Sequence, residues 1–517
     1  MRIPGGNGRR DTREICVVFG IIIMMFIFAI LARTSVCKEP AVERGMDLVN
    51  KQDRSTLRYS SGFSIGQFRA AVVDSEGYLY LAGGAGFDFP ATPGAYDTNS
   101  HGGGDVGVAK VNADGNLIWA TYLGGPEEDY AYVCAVNDRG ELYVSGRAGK
   151  GFPTTPGAFD ETFNGGVDNP VHDPADAFIA KLSSDGSRLI YSTYLGGSGQ
   201  DIGRAIHLHP TGEVVIAATT ESSDFPTTLG ALLPENPGGR KHGYIAKLSA
   251  DGSRLIFSTY LGTTNSSNEF IFSVAEDNRG DYWFAGSTSG TDWGSLSITP
   301  NAFQPERNGG PNEMFVGKLS LDGKKLVYLT WFGGSGAEWI ETEGFNDAFG
   351  NFFITGVTTS PNFPTTRGAY QSKLKVDNGG FIARINADGS LGASTVFDSA
   401  FWGPAMDAKG NIYCSGSTSA EGLATPDAFQ TVHKGAGDAF LAVFDPTLST
   451  LLYGSYLGGS EHEKGRFVAT SPDGSAVYVV GHTSSTDFPL VNAPWNPELG
   501  AWRAFVAQFD LSDIVQE

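Results

Sequence analysis

The chain has 517 residues, with 70 glycines, 25 prolines, 12% aromatic residues and only 18% charged ones, a balance that excludes a mainly helical protein and fits an all-β one. A net charge of −21 excludes nucleic acid and acidic polymers as ready partners, leaving cations, basic proteins and neutral glycans. The length buries a large core easily, and four cysteines are too few for a disulfide framework.

The first element is apolar. Residues 1–14 are basic, with Arg2, Arg9, Arg10 and Arg13, and lead into a run from Ile15 to Leu31 that carries no charge. A basic flank of this kind holds the N-terminus in the cytoplasm and sends the rest of the chain across the membrane. Residues 15–32 are therefore predicted to form an apolar helix, either a transmembrane signal-anchor or a signal sequence. The polar stretch 33–55 reads as a tether. The first 37 residues hold five basic and two acidic residues, so the remaining chain carries −24.

From residue 56 to the end, one unit repeats. "LIYSTYLGG" (Leu189 to Gly197) returns as "LIFSTYLGT" (Leu255 to Thr263), "LIWATYLGG" ending at Gly125, "LVYLTWFGG" ending at Gly334 and "LLYGSYLGG" ending at Gly459. Gly125 and Gly459 are 334 residues and five intervals apart, about 67 residues per unit, so about seven units fill the chain. Each unit shows four apolar stretches in one order. Two short runs flank an Asp/Asn-Gly or Thr-Gly turn, as in "RAIHLHPTGEVVIAA" (Arg204 to Ala218), the signature of a hairpin. A connection with an Asp-Phe-Pro-Thr-Thr flavour comes next, as at Asp224 to Thr228, where proline cannot join a ladder. A third run, such as "DAFIAKL" (Asp176 to Leu182), turns through Asp-Gly into the "YSTYLGG" strand.

Four strands and three turns make a blade, and seven blades make a propeller. The last unit ends at "AFVAQFDLSD" (Ala504 to Asp513) without its fourth strand, whereas "LRYSSGF" (Leu57 to Phe63) precedes the first complete unit. The prediction is an all-β, seven-bladed β-propeller of four-stranded blades, closed by an N-terminal strand and preceded by one apolar helix. Closure of this kind removes the exposed sheet edges. Cys134 and Cys414 fall on strands of different units and are expected as free buried thiols. The stretch "ASTVFDSAFWGPAM" (Ala393 to Met406) lacks the Gly-Gly pair, which marks the fifth-to-sixth junction as the irregular one.

These units resemble the bacterial β-propeller repeat (SBBP) family, with its "YSTYLGG", "DFPTT" and "DAFVAKL" phrases in fixed order over nearly all of the chain beyond Leu57. The resemblance implies a propeller and little chemistry, in a surface or envelope protein.

The sharpest constellation is a carboxylate four residues after the second glycine of each "YLGG": Asp129, Asp201, Glu338 and Glu463, with Glu269 near the same place. A closed propeller turns such positions into a ring at one end, where hard cations such as calcium could bind; the alternative is that each carboxylate caps a turn. A second acidic cluster, Asp168, His172, Asp173 and Asp176, falls in the long insertion of the second unit and permits the same cation. His207 and His209 alternate on the third unit's first strand, with no third ligand in view. No nucleophile elbow, quinone-docking tryptophan register or phosphate loop is present, so no cofactor is required.

The function expected is a non-enzymatic binding or scaffold module outside the cytoplasm, in the bacterial cell envelope and anchored in the inner membrane, or secreted if the leader is cleaved. Its partners would be the membrane through the N-terminal helix and a protein or glycan ligand, on a monomeric propeller. The alternative is a hydrolase or lyase acting on polysaccharide at the channel mouth.

Overall fold

A computed structural model describes residues 56–165, 174–266, 268–495 and 502–515. The apolar run and tether, residues 1–55, lie outside the described residues, as do Asp168, His172 and Asp173. Among the described residues no helix is long and apolar enough to cross a membrane; the last element is one helical turn, Ser512–Val515.

Seven antiparallel four-stranded blades surround a channel. Blade 2 shows the plan: Tyr130–Val136 is innermost, succeeded outward by Leu142–Ala148, Asp176–Leu182 and Leu189–Leu195. Blade 1 begins within the long strand Leu57–Val73, and blades 3, 4, 5, 6 and 7 begin at Asp201, Glu269, Glu338, Ala400 and Glu463. The ring closes as the sequence predicts. The first half of Leu57–Val73 pairs with Arg503–Asp510 as the outer strand of blade 7, and the second half pairs with Leu79–Ala85 as the inner strand of blade 1. One strand thus belongs to two blades.

Alternation along the strands explains the packing. Each face of a blade is apolar, so the core is divided into seven clusters, each between two neighbouring blades, such as Tyr143, Tyr191, Ile216 and Tyr260 between blades 2 and 3. Cys134 and Cys414 are free and buried in different clusters.

The two ends of the propeller differ. At one end the first-to-second and third-to-fourth strand connections are turns of five or six residues. These turns are held by their own acidic or amide side chains, as where Asp74 Oδ1 accepts the Glu76 and Tyr78 amides. The lysine of each "AKL" phrase reaches back to them: Lys181 to Glu141 at 2.8 Å, Lys247 to Glu213 at 2.6 Å and Lys318 to Asp277 at 2.8 Å. At the other end, the loop end, the second-to-third connections run from 19 to 27 residues. Here too each chain leaves an outer strand and enters the next inner one.

The irregularity expected in the fifth and sixth units takes this form. The junction at Ala393–Met406 is tight rather than disordered in pattern, since Leu391–Phe397 and Ala400–Met406 are separated by two residues only. The irregular blade is the fifth, at its inner strand, which is split into Glu338–Trp339 and Phe345–Asn346.

Candidate functional site

The five repeated carboxylates occupy one structural position. Asp129, Asp201, Glu269, Glu338 and Glu463 stand at or just before the start of an inner strand, at the loop end, and all are at most 1% exposed. Each ties two blades. Asp201 Oδ2 accepts the Gly197 amide at 2.8 Å and the Ser222 hydroxyl at 2.7 Å. Glu463 accepts Gly459 N at 2.9 Å, Thr483 Oγ1 at 2.6 Å and Ser485 Oγ at 2.5 Å. Glu269 takes Thr263 N and the Thr263 and Thr288 hydroxyls, Glu338 takes those of Thr358 and Ser360, and Asp129 takes the Gly125 and Gly149 amides.

The glycine pair of "YLGG" now has a cause. A Cβ at Gly196 would meet Asp176 Oδ1 at 2.6 Å and Asp201 Oδ2 at 2.7 Å, and one at Gly458 would meet Asp438 Oδ1 at 2.7 Å and Glu463 Oε2 at 2.5 Å. A Cβ at the second glycine, Gly125, would lie 2.5 Å from the Gly151 carbonyl oxygen in the next blade's connection. The serine after the pair is used as well: Ser198, Ser335 and Ser460 donate their amides, each at 2.8 Å, to Asp224, Asn362 and Asp487 of the "DFP" connections. Both phrases are parts of one inter-blade fastening.

A second carboxylate opens the third strand of the preceding blade at four of these junctions, giving Asp105 with Asp129, Asp176 with Asp201, Glu313 with Glu338 and Asp438 with Glu463. At the remaining one, between blades 3 and 4, His242 stands there instead. Burial, helped by Asp105, Asp224 and Glu313 in turn, pushes Asp129, Asp201 and Glu338 up to about 7 against the pull of their donors, and burial beside Asp201 pushes Asp176 up to about 8; burial alone lifts Glu269 to about 7. Glu463 moves the same way for the same first cause. Asp105 Oδ1, Asp176 Oδ1, Asp201 Oδ1 and Glu338 Oε2 are buried and meet no donor, the setting in which one acid of a pair keeps its proton.

The sequence expected these residues as one ring of ligands. They are instead divided among five separate junctions, and among the described residues no three or more His, Cys, Asp or Glu side chains gather as a metal site. Asp176 belongs to a junction pair. His207 and His209 do lie on one side, where both face Glu276 of the next blade at 3.7 and 3.5 Å; burial lowers His207 to about 4.

Sequence reasoning missed the channel. The inner strands of blades 1, 2, 3, 4 and 7 each bulge at one residue, and those residues are Arg69, Tyr132, Arg204, Phe272 and Arg466. A bulge re-aims the side chain of the extra residue, and here it turns them toward the axis. Cations and rings alternate around it: Arg69 lies 5.5 Å from the Tyr132 centroid, Arg204 4.4 Å from Tyr132 and 5.1 Å from Phe272, and Lys464 3.7 Å from Trp402. The broken strand of blade 5 supplies the rest. Glu341 pairs with Arg466 at 3.2 Å, Thr342 Oγ1 accepts the Gly403 amide at 2.6 Å, the Ser273 hydroxyl donates to the Thr342 carbonyl at 3.1 Å, and Glu343 accepts the Ile206 amide. Residues 341–343 therefore hold blades 3, 4, 6 and 7 at the hub. A signal existed in the sequence: Tyr132, Arg204, Phe272, Glu341 and Arg466 each sit three residues after a junction carboxylate.

No protein-family model matches the chain, so membership of the repeat family that it resembles is not established. A curated relative, the regulatory protein FlaEY of Caulobacter vibrioides, is 23% identical over 376 residues, which is 66% of this chain. The chain spans about a third of that relative's length, 36% of it. Among solved structures, the WD40 repeats of RRP9 align over 87% of this chain and 97% of theirs at 7% identity and a TM-score of 0.43. Hydrazine synthase of Kuenenia stuttgartiensis aligns over 80% and 92% at 11% identity and a TM-score of 0.40.

Proposed function

We propose that this protein is a non-enzymatic binding or scaffold module of the bacterial β-propeller repeat kind, held outside the cytoplasm by its apolar N-terminal segment. The observation that carries the reading is the contrast between the two ends. Seven connections of 19 to 27 residues leave and rejoin the blades at one end, beside junctions fastened by repeated carboxylates, whereas the other end carries the five- and six-residue turns. The shared phrases of these connections run down the outer strands, as where Thr155 N meets Ser192 O, and the connections differ from one another in the stretch that returns to the third strand, such as residues 97–104 and 371–378. Long, dissimilar loops on a rigid frame are where recognition residues collect. The five repeated carboxylates are engaged inside the junctions by amide and hydroxyl donors, so they do not offer the open pair that a polysaccharide-cleaving site needs.

The relative's printed name, a regulatory protein, is compatible with a partner-binding role. The test incubates the full-length chain with envelope glycans and envelope proteins, measuring retention and product release together. Saturable retention of one of them without new reducing ends or unsaturated sugars supports the reading. Release of either product overturns it in favour of a hydrolase or lyase.

A further inference from the structure

The hub of the propeller carries more positive charge than the protein answers. Arg69, Arg204 and Arg466 converge on it from blades 1, 3 and 7, and with Glu341 and Glu343 they line one small, partly open cavity. Arg466 is 7% exposed, and its Nε, like the Nε of Arg69 and of Arg204, is buried without a hydrogen-bond partner. Of the two acids, Glu341 is already engaged by Arg466, and Glu343 accepts the Ile206 amide. Arg69 also meets the Tyr130 hydroxyl, and Glu341 acts on Arg69 and Arg204 from a distance, but among the described residues neither arginine has a carboxylate within ion-pair distance.

Burial pulls Arg69 down, and Tyr130, Tyr132 and Glu341 outweigh it, so that arginine is raised, but its neighbours are shifted as an excess of positive charge requires. Burial, then Arg466, lowers Lys464 to about 7, and burial, then Arg69, lowers Arg466 to about 10. Burial raises Glu343 to about 8, which leaves it largely uncharged at neutral pH. Tyr132 is raised by burial, yet Arg147, Arg204 and Arg69 outweigh that and hold its hydroxyl below its ordinary value, so the place favours negative charge.

We propose that the channel centre holds one monatomic anion, chloride, between the guanidinium groups of Arg69, Arg204 and Arg466. Size selects it. The cavity has room for about one water-sized particle, so a chloride fits with slight yielding of the guanidinium groups around it. Phosphate or sulfate would have to displace the surrounding side chains. A bound anion replaces the repulsion among three cations with three charge-assisted contacts and ties blade 3 to blades 1 and 7 across the axis.

The test is thermal unfolding of the full-length chain in sodium chloride, bromide, gluconate and sulfate at equal ionic strength. The midpoint is expected to rise saturably in chloride and bromide relative to gluconate, by about 3 °C at roughly a hundredfold excess over Kd. Arg204→Met should abolish that difference. Should the variant fail to fold, crystals of the unaltered protein grown in bromide decide the matter by an anomalous peak in the cavity. Equal midpoints in chloride and gluconate, or bromide sites confined to the surface, overturn the proposal. A rise in sulfate alone replaces the monatomic ion with an oxyanion and overturns the assignment too.

Discussion

The junctions and the hub both bury charge, and they treat it in opposite ways. At the junctions, acids sit beside acids and are met by amides and hydroxyls, which lets a carboxyl keep its proton with no counter-ion. At the hub, guanidinium groups that cannot shed their protons at neutral pH crowd one another over aromatic faces, so the charge must be answered from elsewhere. The first arrangement repeats at five of the seven junctions because the same fastening serves wherever an outer strand passes through its glycine pair into the next blade. The second occurs once because a propeller has one axis.

The largest effect should come from deleting a junction acid. Asp201→Ala leaves the Gly197 amide and the Ser222 hydroxyl buried without acceptors and opens a void, which is expected to cost about 3 kcal/mol. Asp201→Asn keeps size and an acceptor and should cost about 1 kcal/mol by the same reckoning. Denaturant titration of the two variants checks this; equal losses would mean that the charge itself, rather than the acceptor, is what the junction uses.

At the hub the corresponding change is Glu341→Gln, which takes the carboxylate from Arg466. The expected loss is about 1 to 2 kcal/mol, because the acid side is partly open to the channel. The same variant removes the only acid that competes for Arg466, so chloride dependence of the unfolding midpoint should become stronger. A variant that loses stability and chloride response together would show the pair, and not an anion, to be what holds the hub.

Legibility in the sequence divides along the same line. Strands, hairpin turns and the closing strand were legible because "YSTYLGG", the Asx-Gly turns and "DAFIAKL" recur in register, and the missing fourth strand after Ala504 pointed to Leu57. The position of Asp129 and its equivalents was legible too, but its use was not: the donors at Ser222 or Ser485 lie some twenty residues away, just past the second strand, where only the folded blade brings them close. The hub was hidden for a different reason. Arg69, Tyr132, Arg204, Phe272 and Arg466 share a register position but not a residue type, and repeats are found by identity. The fifth unit's departure was legible only at its far end, in Ala393 to Met406, because the split inner strand around Glu341 to Glu343 has no phrase of its own to mark it.

The third expectation is a pH dependence with a definite sign. The junction acids have folded values near 7 or 8 and unfolded values near 4, so the folded state holds protons that the unfolded state releases. Their contribution is therefore fully present below about pH 4 and is lost as pH rises through about 7, with each group contributing up to about 1.4 kcal/mol per pH unit. Acids held low by turn donors, such as Asp251 at about 2, act in the opposite direction only at lower pH. The unfolding midpoint should then be higher near pH 5.5 than near pH 8, and Asp201→Asn should flatten the slope. A midpoint that climbs from 5.5 to 8 would mean that the pairs are ionised and held by something else.

That something else would be a cation, which makes calcium the smallest and sharpest of these tests. Calcium needs six to eight oxygens at about 2.4 Å, whereas the oxygens of Asp129, Asp201, Glu269, Glu338 and Glu463 face amide and hydroxyl hydrogens that a cation would have to turn away. Amide hydrogens cannot turn. Excess calcium against chelator should accordingly leave the midpoint of the full-length chain unchanged at pH 6, where the pairs retain protons. A rise that Asp129→Asn and Asp201→Asn remove would reverse the comparison, since the junctions would then hold a cation just as the hub holds an anion.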